Sequence, residues 1–130
     1  TACADIKKGF VVVDDAHLRE RIKDFKDIDC PFLAAGLPTI DISGSKDANI
    51  PYDHIVFFIL KKVDYNQRKY DQEIQDYQDC FEALQQLNDY LKNVGNCHAF
   101  AQYDGTGLID PEYNRASCDG YSLTIKLKSL

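Results

Sequence analysis

The chain predicts an α+β domain: a small, mostly antiparallel sheet with a long amphipathic helix packed on one face and a shorter N-terminal helix. Three observations carry this expectation. Between residues 66 and 94 the apolar positions Tyr70, Ile74, Tyr77, Phe81, Leu84, Leu87, Leu91 and Val94 recur at steps of three and four, which is one face of a helix. Ile55 to Leu60 is an unbroken apolar run, as in a central strand covered on both faces. Tyr121, Leu123, Ile125 and Leu127 alternate with Ser122, Thr124, Lys126 and Lys128, the pattern of a half-buried antiparallel strand near an edge. Helices interposed between paired strands give the order β-α-β-β-α-β-β within one domain, residues 1–130.

Each element has a local reason. Residues 9–13 form a brief β-like run. Asp14 or Asp15 then caps a helix with Leu18, Ile22, Phe25 and Ile28 on one side, ended by Cys30-Pro31 because the residue before proline avoids the α region. Residues 32–38 read as a connection, 39–43 as a strand and 44–51 as a loop, with Gly36 and Pro38 as the breaks. The strongest strand spans 52–63. One of its faces is to take the long helix, the other the 14–28 helix or a neighbouring subunit. Asp64 or Asn66 caps the long helix, acids at 71 and 73 suit its positive end, and Gly95 ends it. A short strand at 96–103 and a loop of 17 residues at 104–120 precede the last strand. A loop this long inside a compact domain points to function or to ordering on a partner.

At 130 residues the chain can bury a core without staples. A net charge of −6 argues against a nucleic-acid binder, which needs a basic footprint. Five cysteines, an odd number, and no secretory leader point to free thiols in a reducing compartment. Nothing approaches the ~18 apolar residues of a membrane span. Thr1 fits a start methionine removed before a small residue, so the N-terminus reads as close to native. Cys97, His98 and Asp104, or Cys118 beside Asp119, bring thiol chemistry to mind. Adjacent residues on a strand point to opposite faces, however, so Cys97 and His98 cannot pair directly there. The cysteines, with His17, His54 and His98, lack the close pairs of a zinc site. Asp76 and Asp79 share a helix face and read as solvated surface. Asp104-Gly105-Thr106-Gly107 lacks the lysine of a nucleotide loop and reads as a turn. No catalytic group, metal or cofactor is therefore expected, and the eight tyrosines suit an interface or the core.

The segment HIVFFILKKVD (residues 54–64), the long acidic helix after it and the closing GYSLTIKL strand (120–127) resemble the small tail-terminator and neck proteins of tailed bacteriophages, most of all those of Bacteroidetes phages and prophages. The resemblance spans roughly residues 39–127 and implies a structural virion protein made in the host bacterial cytoplasm. Such proteins form rings, commonly hexamers, that join copies of themselves to the tail tube or head connector, and DNA passes through without specific binding. It also implies an interface at Leu108, Ile109, Tyr113, Arg115, Tyr121, Leu123 and Ile125, with the 104–120 loop ordering against a neighbour and the last strand able to extend a sheet between subunits. The alternatives are a monomeric or dimeric cytosolic binding domain with a pocket beside Tyr103 and Tyr113, and a thiol enzyme using Cys97 or Cys118.

Overall fold

The structure, a computed structural model, describes residues 6–37, 39–43, 50–93 and 107–128. Val94, Cys97, His98, Phe100, Tyr103, the 96–103 strand and the 104–106 part of the expected loop lie outside the described residues. The elements are β1 (Lys8–Val12), α1 (Asp15–Ile22), a single 3-10 turn, β2 (Phe32–Gly36), β3 (Thr39–Ser43), β4 (Ile50–Lys62), α2 (Tyr70–Asn93), β5 (Leu108–Arg115) and β6 (Cys118–Lys128). One sheet runs in the order β1-β2-β4-β6-β5, with β3 also paired to β4. Among the described residues only the β1–β2 pair is parallel. The fold is α+β.

β4 is the central strand that its apolar run predicts. Phe57 and Ile59 point to one face, where α2 lays Cys80, Ala83, Leu84, Leu87 and Leu91 against them and against Leu123 and Ile125. Phe58 and Leu60 point to the other face, where α1 supplies Leu18 and Ile22 beside Val12, Phe32 and Ala34. The second cover is therefore α1, and the sheet lies between helices. Asp14 caps α1, its carboxylate accepting the His17 amide at 2.8 Å.

Several expectations need correction. Residues 32–36 are a strand, not a connection: Phe32 and Ala34 alternate with Leu33 and Ala35 between the two faces, and the residues pair with both β1 and β4. β2 and β3 follow one another along the same side of β4. The register advances by one residue between Ala35↔Phe57 and Thr39↔His54. α1 stops at Ile22, and Ile28 is 80% exposed, not apolar cover. α2 starts at Tyr70 because Asp64 instead closes a turn, its carbonyl accepting the amides of Gln67 and Arg68. Its first turn leaves Tyr70 and Ile74 exposed. Most of the expected 104–120 loop is hairpin: β5 pairs with β6 through Arg115↔Cys118, with Ala116 and Ser117 at positive φ as a two-residue turn of this kind requires. β6 lies between β4 and β5 from Cys118 to Thr124, so that part of the last strand is internal, and from Ile125 to Lys128 it is paired to β4 alone among the described residues.

Candidate functional site

Among the described residues β3, β1 and β5 are each paired on one side only, and the two ends of the strand order are β1 and β5. Each presents apolar side chains to solvent: Val11 beside Val13 and Leu37 at the β1 end, Leu108 and Tyr113 on β5. Pro111 sits within β5, where an edge tolerates a residue with no N–H to donate. The outer face of α2 exposes Asp71, Glu82 and Asp89 among Gln75, Gln78, Gln85 and Gln86, a surface that repels phosphate.

The seven residues of the expected interface divide. Leu108 and Tyr113 are exposed, and Ile109 is half-buried over the α2 side of the sheet. Arg115 is a clamp within the chain: its guanidinium lies 4.8 Å from the Phe58 ring centre, and Nη1 donates to Asp15 at 3.0 Å, tying the hairpin to α1. Tyr121 packs between Tyr77 and Phe81. Leu123 and Ile125 are 1% exposed beneath α2. Leu123 and Ile125 belong to the core and Tyr121 is half-buried, on a strand that is paired on both sides from Cys118 to Thr124.

The hairpin is shaped by a charge cluster that sequence reading missed. Asp119, fully buried on β6, accepts the Tyr65 hydroxyl at 2.6 Å and the Asn114 amide at 2.8 Å, and Arg68 Nη2 lies 2.7 Å from its second oxygen. Between Glu112↔Gly120 and Arg115↔Cys118 the register slips, so Tyr113 and Asn114 oppose Asp119 alone. The Asn114 amide freed from the ladder there, with Asn114 at φ 55, is the one the carboxylate takes up. Arg68 also approaches Asp76 at 3.6 Å, while Lys61 reaches Asp79 at 2.6 Å and Asp76 at 3.4 Å. Asp76 and Asp79 are thus not simply solvated surface: they pin the start of α2 to the end of β4, and Asp76 is buried. Burial alone would raise the Asp79 carboxyl, but Lys61 and Gln75 hold it below the usual carboxylate range. A cleft of about 440 Å³ opens beside this cluster, lined by Cys30, Lys61, Lys62, Asp64, Arg68 and Asp76. Only one signal could have revealed the cluster: Asp119 is an acid just before a strand whose other inward positions are apolar.

Cys118 does not have the surroundings of a nucleophile. It is fully buried, its thiol donates weakly to the Ala116 carbonyl at 3.6 Å, and burial pushes it up to about 12. Cys80 is raised to about 12 for the same reason. Both are therefore expected to resist alkylation by iodoacetamide in the folded protein and to react once urea unfolds it, read by intact mass. A thiol raised in the folded state adds stability below its unfolded value, and this is lost as pH climbs from about 8.5 through the folded value, so the urea midpoint should fall across that range.

No family model matches this chain, and no curated protein or solved structure matches it. Among the described residues no helix is long and apolar enough to cross a membrane.

Proposed function

We propose that this chain is a structural virion protein of a tailed bacteriophage, building a ring at the tail end or head–tail junction from copies of itself and meeting the tail tube or head connector. The observation that carries the reading is that, among the described residues, β1 and β5 stand unpaired on their outer sides at opposite ends of the sheet's strand order, each flanked by exposed apolar residues. A subunit with unlike open edges joins head to tail, and such contacts close into rings when the rotation per subunit permits. The acidic outer face of α2 supports a channel through which DNA slides without sticking. The resemblance of residues 39–127 to tail-terminator and neck proteins supplies the setting.

Native mass spectrometry and negative-stain microscopy of the purified chain, alone and with tail tubes, test this. The expected result is one defined oligomer with ring-shaped particles. A monomer under both conditions overturns it. The cleft beside Arg68 favours a second reading, a monomeric or dimeric domain that binds a polar ligand or a protein. A monomer whose Lys61, Arg68 and Asp76 signals shift with a ligand in NMR titration would replace the ring.

A further inference from the structure

We infer that copies of this chain join by adding β1 of one copy, antiparallel and in a single register, to β5 of the next, with Lys8 facing Glu112. This rests on the assembly reading above and names the contact within it.

Strand directions come first. β1 runs with β2, β2 against β4, β4 against β6 and β6 against β5. β1 and β5 are therefore antiparallel to each other. Placing the β5 edge of one copy beside the β1 edge of the next, with each helix layer kept on its own side, gives an antiparallel pair without turning either subunit over.

The faces restrict the register. On β1, Phe10 and Val12 lie on the α1 side. On β5, Ile109 lies on the α2 side, so Leu108, Asp110 and Glu112 lie on the α1 side by alternation. Even-numbered residues must face even-numbered ones. Of the registers that obey this, one engages all of β1 while staying on the regular part of β5, short of the slip after Glu112. It sets Lys8 opposite Glu112, Phe10 opposite Asp110 and Val12 opposite Leu108, with Gly9 opposite Pro111 and Val11 opposite Ile109.

Backbone and charge agree with that register. The Val12 carbonyl accepts the Leu37 amide at 3.1 Å, so Val12 faces β2 and, by alternation, the polar groups of Gly9 and Val11 face outward. A proline within an edge strand keeps its missing N–H on the open side, which places Ile109 and Pro111 outward too. The outward groups coincide. Gly9 N–H meets the Pro111 carbonyl, Val11 and Ile109 exchange both bonds, and the donor that Pro111 lacks leaves only the Gly9 carbonyl without a partner there. Gly9 also brings no side chain against the proline ring. Among the described residues the ion pairs of Lys8 and Glu112 are long, 3.7 Å to Asp29 and 3.6 Å to Arg115, and both side chains can turn to each other. Pairing β5 with β5 would instead set Asp110 and Glu112 against their own copies, and like charges opposite each other oppose pairing.

The test uses the full chain with Lys8→Glu, Glu112→Lys and Glu112→Gln, each checked for an unchanged circular-dichroism melt. Each reversal alone should weaken self-association roughly tenfold per junction, and Glu112→Gln roughly threefold, by sedimentation velocity. Mixing the Lys8→Glu chain with the Glu112→Lys chain should restore assembly, because every mixed junction again faces Glu with Lys. Should Glu112→Lys misfold, the Lys8→Glu and Glu112→Gln results decide. A wild-type oligomer untouched by the folded variants overturns the register and leaves the assembly reading standing. Loss in both reversals without rescue on mixing also overturns it. A wild-type chain that never self-associates removes both.

Discussion

Replacing Gly120 by alanine is expected to be the most damaging single change in the chain. Gly120 sits on β6 opposite Leu60 of β4, and a Cβ there would overlap the Ile59 carbonyl oxygen and lie 3.0 Å from Leu60 Cα. These are backbone atoms of the central strand, held by β2 on one side and β6 on the other and covered by a helix on each face. Nothing flexible can give way. Overpacking against side chains costs about 1–3 kcal/mol. Here two paired strands must separate, so a loss beyond that range is expected, a large part of the ~5–15 kcal/mol that holds a domain together. Urea unfolding of Gly120→Ala should show a collapse of the midpoint or no folded baseline. Gly9→Ala is the control: its Cβ meets nothing nearer than 3.9 Å, so stability should change by less than about 1 kcal/mol. Equal effects from the two substitutions would refute the packing argument.

Asp119→Ala is expected to follow closely. The substitution removes the acceptor of the Tyr65 hydroxyl and Asn114 amide and strands Arg68, whose side chain is 8% exposed, beside the empty position. Breaking a buried ion pair from one side costs about 3–5 kcal/mol when the remaining charge is left unpaired, and because Arg68 keeps Asp76 at 3.6 Å and Glu73 at 3.7 Å the loss should fall toward the lower end of that range. Asp119→Asn keeps an acceptor for the hydroxyl or the amide and should lose less, about 1–3 kcal/mol. Adding Arg68→Met to Asp119→Ala should recover part of the loss, since the stranded charge goes with it. If the double variant is as unstable as the sum of the singles, the coupling between Arg68 and Asp119 is absent. The site reading adds a consequence: Asn114 is held by Asp119 where the β5 register slips, so loss of the carboxylate should loosen the hairpin and expose the Asn114 and Arg115 amides to hydrogen exchange first.

How much of this was legible in the sequence depends on how far apart the interacting residues lie. The α2 stripe and the apolar run of β4 are local patterns, and both led to the right element and the right buried face. Cys80, next to Phe81 of the stripe, is buried with it. The 32–36 strand was misread because Gly36 and Pro38 signal a break in the sequence, whereas strands on either side of them pair along the same side of β4. The 104–120 stretch was misread because its turn needs three residues at positive φ, none of them glycine, Asn114, Ala116 and Ser117. An alanine-serine pair is not the usual mark of a tight hairpin turn. The resemblance implied an interface that includes Tyr121, Leu123 and Ile125, and alternation along the strand could not tell an edge from the interior, because it looks the same when polar positions are covered by a paired neighbour. Ser122, almost fully buried beside the Asp110 carbonyl, is that case.

By itself the sequence determined the two helices, the doubly covered central strand and the α+β class, because helical and strand periodicities are written by residues a few positions apart. Only the tertiary structure decided which strands lie at the ends of the sheet and where the buried charges meet. Those outcomes come from pairings between distant residues, such as Tyr65 with Asp119 or Arg115 with Asp15, and burial turns such an acid from a solvated surface group into one that must have its partner.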